Sequence, residues 1–180
     1  METKIYPPDE DSYFLIDCLK KEIGNRRIKT ALEIGTGSGI VSFSIASFVD
    51  KILAVDINPK AIEFAREKAV LKGLKNIEFK VSNLFENVSG KFDLIFFNPP
   101  YLPGRGDLSC TGRKKGQEII EKFLSKVCDY LNKGGEVIIL LSSFNKIKEL
   151  EKKFGLELIA EKKLFFETLY CYKYKKEINF

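Results

Sequence analysis

An asparagine amide followed by two prolines and a tyrosine comes directly after an apolar stretch of the chain. Asn98, Pro99, Pro100 and Tyr101 follow the run Phe92–Phe97. Proline fixes the torsion φ, lacks an N–H donor and restricts the residue before it to extended conformations. The Asn98 side chain and the neighbouring carbonyls are therefore predicted to form a fixed set of hydrogen-bond acceptors. Such a set can orient an –NH2 group, although an ordinary turn at a strand exit is the alternative.

A glycine-rich segment ends an earlier apolar stretch. Glu33 is followed by Gly35, Thr36, Gly37 and Gly39, and this spacing predicts a tight turn whose backbone a ligand can approach closely. The third glycine of the dinucleotide pattern G-x-G-x-x-G is missing, and no Gly-Lys-Ser/Thr of a P-loop follows. A ligand with positive charge or several donors would explain the carboxylate at the strand end, and a solvated carboxylate is the alternative.

Polar residues also follow the next two predicted strands. Asp56 comes 17 residues after Gly39, where an acidic side chain typically accepts hydrogen bonds from ribose hydroxyls. The alternative role of a helix N-cap is disfavoured, because Asn58 already supplies a cap before a proline. Asn83 and Leu84 occupy the place where an adenine edge would meet the sheet, or they form an ordinary polar turn.

These residues must be positioned by a sheet. Apolar runs alternate with amphipathic stretches, which predicts an α/β fold with a single doubly wound, mostly parallel seven-stranded sheet of Rossmann-like type and a C-terminal antiparallel hairpin. We predict helices at 11–23, 40–48, 59–72, 117–131 and 145–154, strands at 29–34, 52–55, 77–81, 92–97, 136–141, 157–165 and 168–174, and a loop over 98–115. Lys133-Gly134-Gly135 is interpreted as the end of the fourth helix. Because ligands bind beyond the carboxyl ends of parallel strands, we expect the polar residues above to form one site.

Length and composition limit the classes of protein to which the chain can belong. A length of 180 residues is typical of one domain, predicted to span residues 1–180, and a hydrophobic fraction of 44% is enough for a core. The chain has neither an apolar run of about 20 residues nor a signal-peptide pattern, so we expect a soluble, cytoplasmic protein without a membrane partner. Four scattered cysteines and no histidine predict no metal site and exclude histidine-based triads. The net charge of +5 is compatible with an acidic or RNA-associated partner.

The predicted pocket suits one nucleoside cofactor. It combines a ribose acceptor at Asp56, a carboxylate at Glu33 that favours a cation, and an amine acceptor at Asn98. S-adenosylmethionine meets the first two requirements, because it joins an adenosine to a positively charged sulfonium, and its methyl group would lie beside the amine acceptor at Asn98. NAD fits less well, since the third glycine that would bind its pyrophosphate is missing.

The chain resembles class I methyltransferases of the HemK-like group, and most closely the archaeal and eukaryotic glutamine methyltransferases that modify class I translation release factors. The residues that match this branch are Tyr6-Pro7-Pro8-Asp9-Glu10-Asp11-Ser12 for its N-terminal Y-x-P-x-E-D-T, Ala31–Gly39 for its cofactor loop, Asp56-Ile57-Asn58-Pro59 for its D-I-N-P, Phe97–Tyr101 for its F-N-P-P-Y, and Phe166-Glu167-Thr168-Leu169 for its terminal hairpin. Ser12 replaces the usual threonine, Asn83 replaces the usual aspartate near adenine, and Gln117 stands where arginine is common.

The resemblance implies transfer of a methyl group from S-adenosylmethionine to a glutamine side-chain nitrogen, in the G-G-Q motif of a release factor. It implies catalytic roles for Asn98, Pro99 and Tyr101, and it implies cofactor contacts from Ser12, Glu33, Gly35, Thr36, Gly37, Gly39, Asp56, Ile57, Asn83, Leu84 and Asn98. Relatives in this branch often need a small zinc-binding activator subunit. Two alternatives remain open: an N-methyltransferase acting on adenine N6 or guanine N2 of RNA or DNA, since the same acceptors would serve a flipped base, and a non-catalytic nucleoside-binding subunit.

Overall fold

The computed structural model describes residues 8–100 and 110–175. Within them the strands are β1 (Ile28–Ile34), β2 (Val49–Asp56), β3 (Ile77–Val81), β4 (Phe92–Phe97), β5 (Leu131–Ser142), β6 (Glu157–Lys163) and β7 (Thr168–Lys175). The helices are α1 (Glu10–Ile23), α2 (Ile40–Ile45), α3 (Pro59–Leu71), α4 (Cys110–Lys126) and α5 (Ile147–Phe154), with short 3-10 segments at Ala46–Phe48 and Val127–Tyr130. None of these helices is long and apolar enough to cross a membrane.

The strands form one sheet in the order β3-β2-β1-β4-β5-β7-β6. The first five strands pair in parallel, whereas β7 runs antiparallel to both β5 and β6. The predicted doubly wound sheet with a C-terminal hairpin is thereby confirmed. The chain builds outward from β1 through β2 to β3, and then returns to place β4 on the other side of β1. This reversal creates the topological switch point at which open α/β sheets bind ligands.

Both faces of the sheet are covered by helices, which explains the continuous apolar run of the central strand. In β4, Leu94 and Phe96 pack with residues of α1 and α2, whereas Ile95 and Phe97 pack with residues of α4 and α5. This division follows from the alternation of side chains along a strand. Each of these large apolar side chains contributes about 1.5–3 kcal/mol on burial. The end of β4 is therefore a rigid support for the segment that follows it.

Helix α1 is attached to the sheet by an apolar stripe. Leu15, Leu19 and Ile23, spaced four residues apart, are buried. The helix begins after Asp9, whose side chain accepts a hydrogen bond from the backbone N–H of Glu10 at 2.9 Å. The cap fixes where the helix starts, and the stripe fixes where that start lies against the sheet.

Residues 110–115 of the predicted loop over 98–115 are helical, so that part of the prediction was wrong, whereas residues 101–109 lie outside the described residues. The predicted end of the fourth helix was also wrong. Helix α4 begins at Cys110 and ends at Lys126, and the chain then enters β5 at Leu131, which pairs with Phe92. Lys133-Gly134-Gly135 therefore lies inside β5, where the register relative to β4 shifts between Phe92 and Leu94. A Cβ at Gly135 would lie only 2.9 Å from the carbonyl oxygen of Phe92. Gly135 therefore allows β4 and β5 to approach closely, and the two glycines do not end a helix.

Other predicted boundaries differ by smaller amounts. Strand β2 begins at Val49, three residues before the predicted start, because Val49 is buried and pairs with Ile28 although two charged residues follow it. The second helix becomes a 3-10 turn at Ala46. Helix α5 begins at Ile147, two residues after its predicted start, and β6 ends at Lys163, two residues before its predicted end.

Candidate functional site

The carboxyl ends of β1 and β4 place the glycine turn next to Asn98. Ile34 pairs with Phe97 in parallel register, so the residues that follow them leave the sheet side by side. Gly35 has φ +69°, and a Cβ at this position would lie 3.2 Å from the Phe97 ring. A side chain here would meet both the strain of a left-handed backbone and the ring of the neighbouring strand.

The other two glycines of the turn have different surroundings. A Cβ at Gly39 would overlap the ring of Phe43, so this glycine is needed for packing of the turn on α2. A Cβ at Gly37 would have no heavy atom within 4 Å. The backbone at Gly37 therefore borders open space, which is what close approach of a ligand requires.

Glu33 is buried beneath the turn and is not a solvated carboxylate. Its Oε2 atom accepts hydrogen bonds from the hydroxyls of Thr36, at 2.6 Å, and of Ser42 on α2. Burial raises the pKa of Glu33 to about 7, although the two hydroxyls and the backbone N–H of Ser42 act in the opposite direction. Glu33 and Thr36 therefore hold the turn from inside the protein. Ser42 was missed from the sequence, where a serine in the following helix gives little signal.

Asp56 joins the end of β2 to the glycine turn. Its Oδ2 accepts the backbone N–H of Gly37 at 2.8 Å, and its Oδ1 accepts the N–H of Asn58 at 2.8 Å. Asn58 is the N-cap of α3, because its Oδ1 accepts the N–H of Lys60 at 3.0 Å, so the alternative of Asp56 as the cap is wrong. Each carboxylate oxygen keeps acceptor capacity, and the next side chain, Ile57, is 67% exposed. Asp56 therefore offers hydrogen-bond acceptors for hydroxyl groups, and Ile57 offers an apolar surface beside them.

The turn after β3 is held in a strained conformation. Leu84 has φ +50°, which costs on the order of 1–2 kcal/mol for a residue with a Cβ. The buried hydroxyl of Ser82 donates to the Leu84 carbonyl at 2.9 Å and accepts the N–H of Asn87 at 3.0 Å. Asn83 is exposed, and its Nδ2 donates to Glu86 at 2.8 Å. Ser82, which the sequence analysis missed, thus fixes the turn that carries Asn83 and Leu84.

Asn98 presents a hydrogen-bond acceptor that no other described residue uses. Its Nδ2 donates to the Oδ2 of Asp11 at 3.1 Å, whereas its Oδ1 is buried and has no hydrogen-bond partner among the residues that the structure describes. A buried polar atom without a partner costs about 1–3 kcal/mol, and such atoms are typical of positions where a ligand supplies the missing donor.

Of the remaining predicted site residues, Pro99 is buried directly after Asn98. Ser12 is buried at the start of α1, and its N–H and hydroxyl both bind the Oδ1 of Asp11, at 2.6 and 3.2 Å. Tyr101 and Tyr6 lie outside the described residues. The structure therefore brings α1, the glycine turn and the end of β4 together.

The described residues fit S-adenosylmethionine. Gly37 borders open space, the Asp56 carboxylate has spare acceptor capacity, and Ile57 is an exposed apolar side chain at the same sheet edge. The unpartnered oxygen of Asn98 lies on the neighbouring strand end. A nucleoside and an amine donor would satisfy these groups together.

Comparisons with known proteins agree with this geometry. The family model described as Methyltransferase small domain matches residues 6–168. A Methanocaldococcus jannaschii protein whose name proposes a protein N5-glutamine methyltransferase activity is 42% identical over 94% of this chain and 90% of its own length. The release factor glutamine methyltransferase of Aquifex aeolicus is 30% identical over 81% of this chain and 58% of its own. A 16S rRNA N2 methyltransferase of T. thermophilus, solved in complex with AdoMet and guanosine, has a TM-score of 0.72 at 20% identity, over 94% of this chain and 44% of that chain, which shows a shared fold.

Proposed function

The chain belongs to the Methyltransferase small domain family, and we propose that it transfers a methyl group from S-adenosylmethionine to the side-chain nitrogen of a glutamine in a translation release factor. The glutamine would be that of the G-G-Q motif. The names of two relatives, a protein N5-glutamine methyltransferase and a release factor glutamine methyltransferase, support this substrate. The structural observation that carries the proposal is the Oδ1 of Asn98, which is buried beside the glycine turn and has no hydrogen-bond partner among the described residues.

The chemistry requires an aimed nitrogen more than a base. When bound, S-adenosylmethionine supplies a methyl carbon on a positively charged sulfur that leaves with the bonding electrons as a neutral thioether. A glutamine nitrogen is a poor nucleophile, because its lone pair is delocalised into the carbonyl. The Oδ1 of Asn98 and the carbonyl oxygen of Pro99 would accept its two N–H bonds, direct the lone pair and stabilise the positive charge that develops on nitrogen. The surplus proton of the methylated amide then passes to water.

Positioning is the larger of the two contributions. A fixed near-attack geometry can lower the barrier by about 7–11 kcal/mol in favourable cases. A preorganised hydrogen-bond partner for developing charge contributes about 2.7–4 kcal/mol. The rigid support of Asn98, between a strand buried on both faces and a proline, therefore matters as much as its chemical type.

We assign the other predicted site residues around this centre as part of the proposal. Asp56 would accept the ribose hydroxyls, with Ile57 beside the nucleoside, and the turn of Asn83 and Leu84 would meet the adenine. Gly35, Gly37 and Gly39 would let the turn approach the cofactor, Glu33 and Thr36 would hold that turn from beneath, and Ser12 would lie at the methionine end. Tyr101 would pack against the substrate amide.

The proposal includes a protein partner and a location. A small zinc-binding activator subunit, implied by the sequence resemblance, would assist the enzyme. The full chain, residues 1–180, would act as one methyltransferase domain. Its substrate belongs to translation termination, so the proposal also places the enzyme in the cytoplasm.

One assay tests the proposed function. Purified protein is incubated with radiolabelled S-adenosylmethionine and with a release factor, the same factor carrying a G-G-E motif, or RNA and DNA oligomers, each with and without the activator. We expect label only in the release factor with an intact glutamine. Label confined to an oligomer would replace the proposal with base methylation. If none of these acceptors becomes labelled, the result would favour a non-catalytic nucleoside-binding subunit.

A further inference from the structure

Asp11 and Asn98 are 87 residues apart in the chain but form a hydrogen bond at the candidate site. The Asn98 Nδ2 donates to the Asp11 Oδ2 at 3.1 Å. The Asp11 side chain belongs to the first turn of α1 and is only 7% exposed. The contact therefore joins the N-terminal helix to the segment proposed to bind the methyl acceptor.

The contact decides which end of the Asn98 amide faces the ligand. The oxygen and nitrogen of an asparagine amide have nearly the same size, so packing alone does not distinguish the two orientations. An ionised carboxylate only accepts hydrogen bonds, and the Nδ2 must therefore face Asp11. The opposite orientation would place two acceptor oxygens against each other. The remaining end is Oδ1, the atom that is buried without a partner among the described residues.

Asp11 itself is held in place. Its Oδ1 accepts the backbone N–H of Ser12 at 2.6 Å and the Ser12 hydroxyl at 3.2 Å. Its position in the first turn of a helix favours negative charge, since the helix dipole is positive there. The same helix is packed on the sheet through its buried stripe. The carboxylate is thus fixed in position by Ser12 and by the helix that carries it.

We propose that Asp11 is a positioning residue that fixes the Asn98 amide with its oxygen directed to the methyl acceptor. The identity of the N–H that this oxygen receives rests on the proposed function. Asp11 acts through Asn98 and does not touch the reacting atoms. The expected consequence of its loss is that the rate of methyl transfer falls by a larger factor than the affinity for S-adenosylmethionine.

The first test replaces Asp11 by asparagine, with Asp17→Asn, an exposed carboxylate on the same helix, as the matched control. In Asp11→Asn one oxygen is replaced by a donor, so the side chain cannot serve Ser12 and Asn98 as before. We expect kcat to fall about 10–100-fold, the dissociation constant for S-adenosylmethionine to change by a smaller factor, and the activity of the control to stay unchanged. Loss of cofactor affinity with an unchanged kcat would overturn the proposal.

A double-mutant cycle separates positioning from a general structural role. If Asp11 acts by orienting the Asn98 amide, Asp11→Asn has no further effect on single-turnover rates once Asn98→Ala has removed that amide. Independent losses that multiply in the double variant would contradict the proposal. Thermal unfolding is measured first, and Asp11→Ser, which suits a first helical turn, is used if Asp11→Asn does not fold.

A third measurement does not depend on the acceptor. The Asn98 side-chain NH2 signals in a ¹⁵N spectrum are assigned by their loss in Asn98→Ala. We expect Asp11→Asn to shift them, with no shift in Asp17→Asn. Unchanged Asn98 signals in Asp11→Asn would overturn the role of Asp11. If the wild-type protein methylates RNA and not a release factor, the proposed function fails while these spectra still decide the role of Asp11.

Discussion

Ser42 on α2 donates its hydroxyl hydrogen to the carboxylate of Glu33 at the end of β1, beneath the glycine turn. Thr36, in the turn itself, donates to the same oxygen at 2.6 Å. One carboxylate therefore joins the strand, the turn and the following helix. Because burial raises the pKa of Glu33 to about 7, the glycine turn rests on a group that changes charge near neutral pH.

This pKa predicts how stability depends on pH. The folded-state pKa of about 7 lies above the ordinary value of 4.5, so between these values the folded protein holds a proton that the unfolded chain has released. The contribution of Glu33 to the free energy of unfolding is thus fully present below pH 4.5 and is lost as the pH rises through about 7. The loss is at most about 3 kcal/mol. Glu33→Gln should remove this slope, measured by urea unfolding of the protein without cofactor.

The carboxylate of Glu136 acts outside this range of pH. Burial disfavours ionisation of Glu136, but its hydrogen bond from Arg26 and the charge of Lys173 lower its pKa from 4.5, so its contribution is lost only as the pH falls below that value. Glu63→Gln, at an exposed position of α3, is the control. Equal slopes in the wild-type protein and Glu33→Gln would show that the turn does not depend on this protonation.

Asn98→Ala should separate catalysis from cofactor binding. It removes the unpartnered Oδ1 that is proposed to accept the substrate N–H, and we expect kcat to fall about 10²–10³-fold. Affinity for S-adenosylmethionine, measured by calorimetry, should remain close to that of the wild-type protein. Asn25→Ala, at an exposed position before β1, should change neither quantity. An active Asn98→Ala enzyme would refute the proposed role.

Asp56→Asn should weaken binding of the cofactor. It removes the charge that is proposed to accept ribose hydroxyls, and hydrogen bonds to a charged group contribute about 1.5–3 kcal/mol each. We expect the dissociation constant to rise about 10–100-fold. Asp50→Asn, on the same strand but paired with Arg27, should leave calorimetric affinity unchanged. Unchanged affinity in Asp56→Asn would remove the ribose assignment.

The parts of the fold that sequence reasoning predicted are those in which burial is continuous. The limits of β4 agree with the prediction, because both faces of this strand are covered and every residue except Asp93 is apolar. The start of β2 was missed because Asp50 and Lys51 interrupt the apolar pattern, although Val49 is fully buried. The start of β5 was missed because Gly134 and Gly135 resemble a helix end, and only the contact with β4 shows why a glycine is needed at position 135.

The residues of the candidate site were likewise predicted only in part. Strand order explains why the glycine turn and Asn98 meet, since polar residues after parallel strands share one edge of the sheet. Asp11, Ser42 and Ser82 were not predicted as site residues, because each acts through a hydrogen bond to another site residue. A serine or aspartate near a helix or strand end has many ordinary uses, and a contact across 87 residues leaves no local pattern.

Gly37→Ala and Gly73→Ala form a matched pair that tests where the cofactor lies. Their φ values are +54° and +68°, and a Cβ at either position would have no heavy atom within 4 Å. Both substitutions should lower stability by about 1–2 kcal/mol through backbone strain, as measured by thermal unfolding. Of the two, only Gly37 lies in the glycine turn after β1, where it donates its N–H to Asp56. Only Gly37→Ala should therefore weaken binding of S-adenosylmethionine, by about tenfold or more. Equal calorimetric affinities in the two variants would show that the ligand does not approach the backbone at Gly37.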